Sequence, residues 1–198
     1  MSSVKTNSFA WTKDVEKHVK DHVAKYPKGK QQSAVMPLLD LAQRQNGGWL
    51  SQDCIEYVAS YLDMPPMKVM EVATFYTMYN LKPIGKHHVQ VCGTTPCWLR
   101  GSDQIMAACS KKLGIKKGQT TADGMFTLSE VECQGACVNA PMVMIDDDFF
   151  EDLTAETIEA ILQSYADGKT PKAGPQNSRH SSEPEGGVTT LKAMGSAK

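Results

Sequence analysis

Val91-Cys92-Gly93-Thr94-Thr95-Pro96-Cys97-Trp98 and, further on, Val131-Glu132-Cys133-Gln134-Gly135-Ala136-Cys137-Val138-Asn139-Ala140-Pro141 are the two stretches around which the chain is organised. They hold a Cys-x4-Cys pair and a Cys-x3-Cys pair separated by 35 residues. Each pair follows an apolar, strand-like run and carries a glycine beside a thiol. Four converging thiolates suit a soft metal.

Working outward, residues 88–91 read as a strand leading into Cys92. The spacing of Ile105, Ala108, Cys109 and Leu113 predicts a helix over 100–113, ended by Gly114. A polar loop follows over 118–124. Residues 126–131 alternate into a second strand, 142–145 read as a third, and Phe149-Phe150 as a fourth after the acidic turn at 146–148. Thr154 is the expected cap of a last helix, with Leu153 and Ile158 at the positions of a hydrophobic staple. Ile161, Leu162 and Tyr165 continue its face. This order of strand, helix, strands and helix fits a thioredoxin-like α/β layer.

Upstream, everything between residues 11 and 80 reads as helical. Trp11, Val15, Val19, Val23 and Tyr26 form one amphipathic face, stopped by Pro27 and Gly29. Val35, Leu38, Leu39 and Ala42 make a second helix, with Ser33 as the expected cap and Pro37 tolerable in the first turn. Ser51 caps a third, whose buried face is Ile55, Val58, Ala59 and Leu62. Pro65-Pro66 opens a fourth, with Val69, Val72, Ala73 and Tyr76 inward. Lys82-Pro83-Ile84-Gly85 reads as a linker. After Tyr165 there is no further Phe, Trp or Tyr. Residues 171–198 are therefore expected to bury too little apolar surface to order themselves, or else to form an arm that orders on a partner.

The bulk numbers exclude several classes. With 21 Lys and Arg against 22 Asp and Glu, the net charge of −1 gives no electrostatic case for nucleic acid. No apolar run approaches the ~18 residues of a spanning helix, so direct membrane insertion is not expected. The first residues carry neither the apolar core of a signal peptide nor the Arg-rich character of a mitochondrial presequence. Six cysteines in that context point to a reducing compartment, as metal ligands or buried thiols.

Three readings compete for the four cysteines. A [2Fe–2S] cluster takes four thiolates. Structural zinc accepts both spacers. Reduced core thiols fit poorly, because each pair straddles glycine or proline at a strand end. A thioredoxin-type redox pair would need Cys-x-x-Cys, which is absent here. The plant-type ferredoxin spacing is also unmatched, and a Rieske centre needs two histidines. Apolar flanks at Val91, Trp98, Val131, Val138, Pro141 and Val143 favour a shielded redox cluster over zinc. Gly93 and Gly135 are expected to let backbone N–H groups approach sulfur, with Thr94 and Thr95 adding hydroxyl donors.

Those two motifs, Cys92 to Gly101 and Glu130 to Pro141, resemble the thioredoxin-like [2Fe–2S] subunit family of respiratory complex I, the 24 kDa subunit of mitochondria. Gln31-Gln32-Ser33-Ala34-Val35, Gly48-Trp49, Pro65-Pro66, residues 72–78 and the tail from Gly174-Pro175 to Leu191 are also similar to that family. The resemblance implies an α+β protein: a helical bundle over 1–82, a thioredoxin-like [2Fe–2S] domain over 86–170 and an extended tail over 171–198. It implies one [2Fe–2S] cluster held by Cys92, Cys97, Cys133 and Cys137. Gly93 departs from the small hydroxyl residue that many relatives carry there, which affects donors around the cluster rather than ligation.

The resemblance further implies an electron-transfer subunit of NADH:quinone oxidoreductase with no complete active site of its own. FMN and NADH would be bound by the direct partner, the flavin- and NADH-binding subunit, and other peripheral-arm iron–sulfur subunits would lie nearby. Consistently, the sequence has no Gly-x-Gly-x-x-Gly after a strand and no P-loop. The cluster would hold one electron near the flavin, off the main path to quinone. The expected location is the cytoplasmic side of a bacterial inner membrane, or the matrix side for a mitochondrial source. A chain starting at Met1 just before the first helix suggests a bacterial protein. Alternatives are the diaphorase subunit of a soluble NAD-linked hydrogenase or formate dehydrogenase, a zinc-stabilised interaction module and a free-standing ferredoxin. The tail favours the complex I form over the soluble enzymes.

Remaining features have plainer readings. Cys54 and Cys109 are expected in the core. His18 and His22 read as a solvated helix face, and His87 and His88 as polar strand-end residues. Residues 74–79 would pack either on the flavin subunit or within the chain. The Ala140-Pro141 bond has two readings: likeness to thioredoxin-like folds, which often place a cis proline before a strand, allows cis, whereas sequence alone favours trans.

Overall fold

The computed structural model describes residues 9–187 and 190. The first residues, read above for targeting signals, lie outside the described residues, and so does Leu191 at the end of the family-like tail. The chain separates into two compact units between Ile84 and Gly85.

The first unit is helical. Helix α1 (Lys13–Ala24) is capped by Thr12, whose side chain accepts from the Val15 N–H. A 3₁₀ turn over Gln31–Ala34 leads into α2 (Val35–Gln45). Ser33 therefore lies inside that turn and is not the cap. The Val35 N–H already bonds to the Gln32 carbonyl, so α2 starts at Ala34 without a side-chain acceptor. Pro37 falls in the first turn of α2, where its missing N–H costs no hydrogen bond.

Helix α3 (Gln52–Tyr61) is capped as expected, the Cys54 N–H donating to Ser51 Oγ at 3.2 Å. Helix α4 (Pro66–Phe75) opens on its proline. Leu38, Leu39, Val58 and Val69 are fully buried among these helices, and Ile55 nearly so. Each such side chain contributes about 1.5–3 kcal/mol by leaving water. The sequence pattern puts Tyr76 on the inner face of α4. The helix instead ends at Phe75, Tyr76 takes an extended backbone, and both rings are exposed. Tyr79 turns inward and its hydroxyl donates to the Met36 carbonyl at 2.9 Å.

The second unit is built on a six-stranded sheet. Strand β1 (His87–Cys92) is followed by α5 (Thr95–Leu99), α6 (Ser102–Leu113), β2 (Gln119–Thr120), β3 (Phe126–Val131), β4 (Val143–Ile145), β5 (Asp148–Glu151), α7 (Ala155–Ala166) and β6 (Gly174–Pro175). The order across the sheet is β2-β3-β1-β4-β5-β6. Central β1 runs parallel to β3 and antiparallel to β4. Helices α6 and α7 pack together on one face over Val89, Val91, Leu128, Val143, Ile145 and Phe150. The alternate residues point to the other face, where Cys92, Cys97, Ala140 and Met142 form a smaller cluster with Met144 and Phe149.

Four details depart from the sequence reading. The helix expected over 100–113 runs over Ser102–Leu113, and across Gly101, whose φ of +92° suits glycine, it is preceded by the short helix Thr95–Leu99, which the sequence reading does not contain. Short strands β2 and β6 fall in stretches read as loop and tail. The Ala140-Pro141 bond is cis. The described part of the tail is fixed, with β6 pairing parallel to β5 and the Asn139 side chain donating to the Ser181 carbonyl at 2.9 Å. Composition weighs only apolar burial, whereas this segment is held by polar contacts. Thr154 caps α7 in a reciprocal box with Thr157, and Leu153 and Ile158 are both buried.

His88 supplies a test of the sheet's electrostatics. Its Nε2 meets Ser129 Oγ at 2.8 Å, and burial holds its pKa below the ordinary histidine value despite the nearby Asp146 carboxylate. The unfolded chain therefore binds more protons than the folded one as pH falls through about 6.5. Stability is unaffected by His88 above that value and declines below it. Urea unfolding at pH 5 and pH 7 should show a smaller pH difference in His88→Gln than in the unsubstituted chain; an equal difference would show that His88 is not buried neutral.

Candidate metal centre

The parallel pairing of β1 and β3 brings the two cysteine motifs together. In that register Cys92, the last residue of β1, sits opposite Val131, the last of β3. Both strands run off the same edge, so Cys133, two residues on, emerges beside the Cys92 loop. Cys97 lies in α5 and, like Cys92, is buried. Cys137 opens the 3₁₀ turn Cys137–Asn139, and it and Cys133 are exposed. The site is thus half sheltered, not shielded throughout as the flanking residues suggest. Val91, Pro141 and Val143 are buried, whereas Trp98 and Val138 are exposed.

The thiols are arranged as two hydrogen-bonded pairs. Cys97 donates to Cys92. Cys133 and Cys137 have their sulfurs 3.4 Å apart. Thr94 links the pairs: its hydroxyl lies 3.2 Å from Cys92 Sγ and also reaches Cys133. Ala136, from the second motif, packs on the cluster containing Cys92 and Cys97. Among the described residues, no three or more His, Cys, Asp or Glu side chains are gathered around one point fit for a single ion. The donors come as two twos.

Electrostatics divides each pair in the same way. Burial opposes ionisation of Cys92. Donation from the Thr94 hydroxyl and N–H, the Cys97 thiol and the Gln134 N–H outweighs it and holds the Cys92 pKa below the ordinary thiol value. Cys97 is pushed up to about 12, first by burial and then by its bond to Cys92. Cys133 is lowered by the Gly135 N–H, at 3.4 Å, and by the Cys137 thiol. Cys137 is raised by its place as donor to Cys133. Within each pair, therefore, one thiol ionises more readily than the other when no metal is bound.

Gly135 and Thr94 act as the sequence suggests. Gly135, at φ +83°, turns its N–H onto Cys133. Gly93 does not: its N–H goes to the Val131 carbonyl at 3.1 Å. A Cβ at Gly93 would lie 2.5 Å from Glu130 Oε1. The glycine accommodates the Glu130 side chain, which pairs with Lys117 at 2.8 Å. The backbone donors from Gln134 and Met142 are not legible in the sequence, because N–H groups carry no residue identity. Cys54 and Cys109 are buried core thiols, the latter pushed up to about 12 by desolvation. His18 is exposed, and His22 contacts only Lys25 among the bonds described, at 3.4 Å. His87 pairs with Asp146 at 2.7 Å.

The model of the family described as thioredoxin-like [2Fe–2S] ferredoxin matches residues 19–166. The chain belongs to this family. It is 59% identical over 160 residues to a subunit of the NADH-quinone oxidoreductase of Rickettsia bellii, covering 81% of this chain and 96% of that protein. It is 52% identical over 183 residues to the mitochondrial NADH dehydrogenase [ubiquinone] flavoprotein 2 of Dictyostelium discoideum, covering 92% of this chain and 74% of that one. Among solved structures, the NAD+-reducing [NiFe]-hydrogenase in its air-oxidized state is similar with a TM-score of 0.58 at 20% identity, over 66% of this chain and 23% of that chain. At that identity the likeness is one of fold.

The divided pairs predict an order of alkylation in metal-free protein. Iodoacetamide should label Cys133, which is exposed and more readily ionised, first and buried, protonated Cys97 last, with the Cys133 rate levelling off at a lower pH than that of an ordinary thiol. Peptide mass spectrometry over a time course reads the order, and early labelling of Cys97 would contradict the assigned arrangement.

Proposed function

We propose that this chain is the [2Fe–2S] electron-transfer subunit of an NADH:quinone oxidoreductase, with Cys92, Cys97, Cys133 and Cys137 as the cluster ligands. The observation that carries the reading is the meeting of two thiol pairs at the ends of parallel neighbours β1 and β3. The close relatives named as subunits of that complex supply its context.

The donor set fits a two-iron core. One tetrahedral zinc with bonds of about 2.3 Å would draw all four sulfurs to roughly equal spacing around one point. Two irons take two thiolates each, which is how the thiols are grouped. When bound, the cluster supplies a one-electron donor and acceptor. The chain's own residues do the rest. Donors around Cys92 and Cys133 ease the ionisation of those two thiols. The N–H groups of Thr94, Gln134, Gly135 and Met142 point at sulfur and offset negative charge there. Ala140 and Met142 keep water from the inner pair.

The outer pair is exposed, and so are the apolar side chains of Val138, which follows Cys137, and of Trp98 and Leu99, which follow Cys97. An apolar rim next to a redox centre suits a covered face. Its occupant in this reading is the flavin- and NADH-binding subunit, with FMN and NADH held there and the other peripheral-arm iron–sulfur subunits nearby. None of the helices among the described residues is long and apolar enough to cross a membrane. The chain is a peripheral subunit in this reading, on the cytoplasmic side of a bacterial inner membrane or the matrix side of a mitochondrial one.

Anaerobically purified full chain should hold about two irons and two acid-labile sulfides and give an EPR signal on reduction. Cys97→Ser should abolish or distort that signal. A zinc-loaded, colourless protein would favour an interaction module instead, and an unchanged signal in Cys97→Ser would remove that residue from the ligand set.

A further inference from the structure

The cysteine loops are tied to a segment far from them in sequence. Arg179, in the tail, is almost wholly buried, with 5% of its side chain exposed, against 4% for its partner Asp152. Its Nη2 lies 3.2 Å from Asp152 Oδ1, and its Nη1 donates to the Val138 carbonyl at 2.8 Å. Val138 directly follows Cys137. Asn139, also buried, donates to the other Asp152 oxygen at 3.1 Å, and the Asp152 N–H returns a bond to the Asn139 carbonyl at 2.8 Å. The 3₁₀ turn carrying Cys137 is thus held from both sides by one buried ion pair.

A second arm reaches the other motif. Glu185 sits 3.7 Å from Arg179 Nη2 and 3.2 Å from Arg100 Nη2. Arg100 stands three residues past Cys97, and its Nε donates to the Ala140 carbonyl at 3.4 Å. Arg100 and Glu185 are more than half exposed, so this arm is the weaker one. None of these residues is a ligand candidate, and a polar tail with one arginine gives no reason in the sequence to single it out.

We propose that Arg179 is a positioning residue for the cluster: through Asp152 and the Val138 carbonyl it fixes the Cys137 turn, and through Glu185 it holds that turn in register with the Cys97 helix. This rests on the ligand assignment proposed above. The planar guanidinium is suited to the task, because it spans a carboxylate and a carbonyl at once with fixed geometry. Lysine keeps the charge but places it at a single point, so Arg179→Lys should meet Asp152 and lose the carbonyl.

The test uses the full chain with its cluster. Loss of visible absorbance on addition of an iron chelator, and the EPR spectrum of the reduced form, are compared for the unsubstituted chain, Arg179→Gln, Arg179→Lys and Glu185→Gln. Residues that orient metal ligands from behind typically change metal retention by about 10- to 100-fold. Arg179→Gln should lose its cluster about tenfold faster or more, with broadened EPR features. Arg179→Lys should recover part of the difference, and Glu185→Gln should show a smaller acceleration. If Arg179→Gln does not fold, the exposed Glu185→Gln decides, and an unaltered rate there overturns the proposal. Unaltered rates and spectra in folded Arg179→Gln also overturn it. An unsubstituted chain without any cluster would defeat the ligand assignment itself, an outcome distinct from a cluster that ignores Arg179.

Discussion

The parallel pairing of β1 with β3 is the constraint on which the site depends. Parallel neighbours share a direction, so the loops that leave them leave the same edge. Here the register sets Cys92 against Val131 and delivers two thiol pairs, far apart in the chain, to one place. Helices α6 and α7 cover one face of the sheet and fix the strands that carry the motifs. The opposite face, through Met142 and Ala140, forms the floor beneath Cys92 and Cys97.

Given that placement, local chemistry grades the four sulfurs. The inner pair is buried and the outer pair meets solvent. Each pair contains one thiol whose ionisation is favoured by donors and one whose ionisation is opposed. Donors aimed at sulfur and the depth of burial are the levers by which a protein sets the potential of such a centre. The outer pair reaches the surface, and the apolar side chains of Trp98, Leu99 and Val138, neighbours in sequence of Cys97 and Cys137, are exposed.

Much of this is legible in the sequence, for identifiable reasons. Ser51, Thr154 and the staple of Leu153 with Ile158 announce helix starts because capping uses specific side chains at fixed offsets. Strands β1, β3, β4 and β5 show as apolar runs bounded by turns. The cysteine spacing exposes the candidate ligands at once. What fails to show is set by tertiary context. Ser33 loses its capping role because a 3₁₀ turn satisfies the helix start first. Gly93 serves the Glu130 side chain across the β1–β3 pair rather than a sulfur. Arg179 gains its place only when the tail folds back on Asp152. The ordering of the described part of the tail by ion pairs and backbone pairing is invisible to a reading based on apolar area.

The central claim is that four sulfurs from two sheet-end loops hold one two-iron core. Iron K-edge X-ray absorption on the anaerobically purified chain tests it most directly. The account predicts iron surrounded by sulfur alone, with a single iron neighbour at short range. A nitrogen or oxygen shell around the metal, or iron with no iron neighbour, would contradict it.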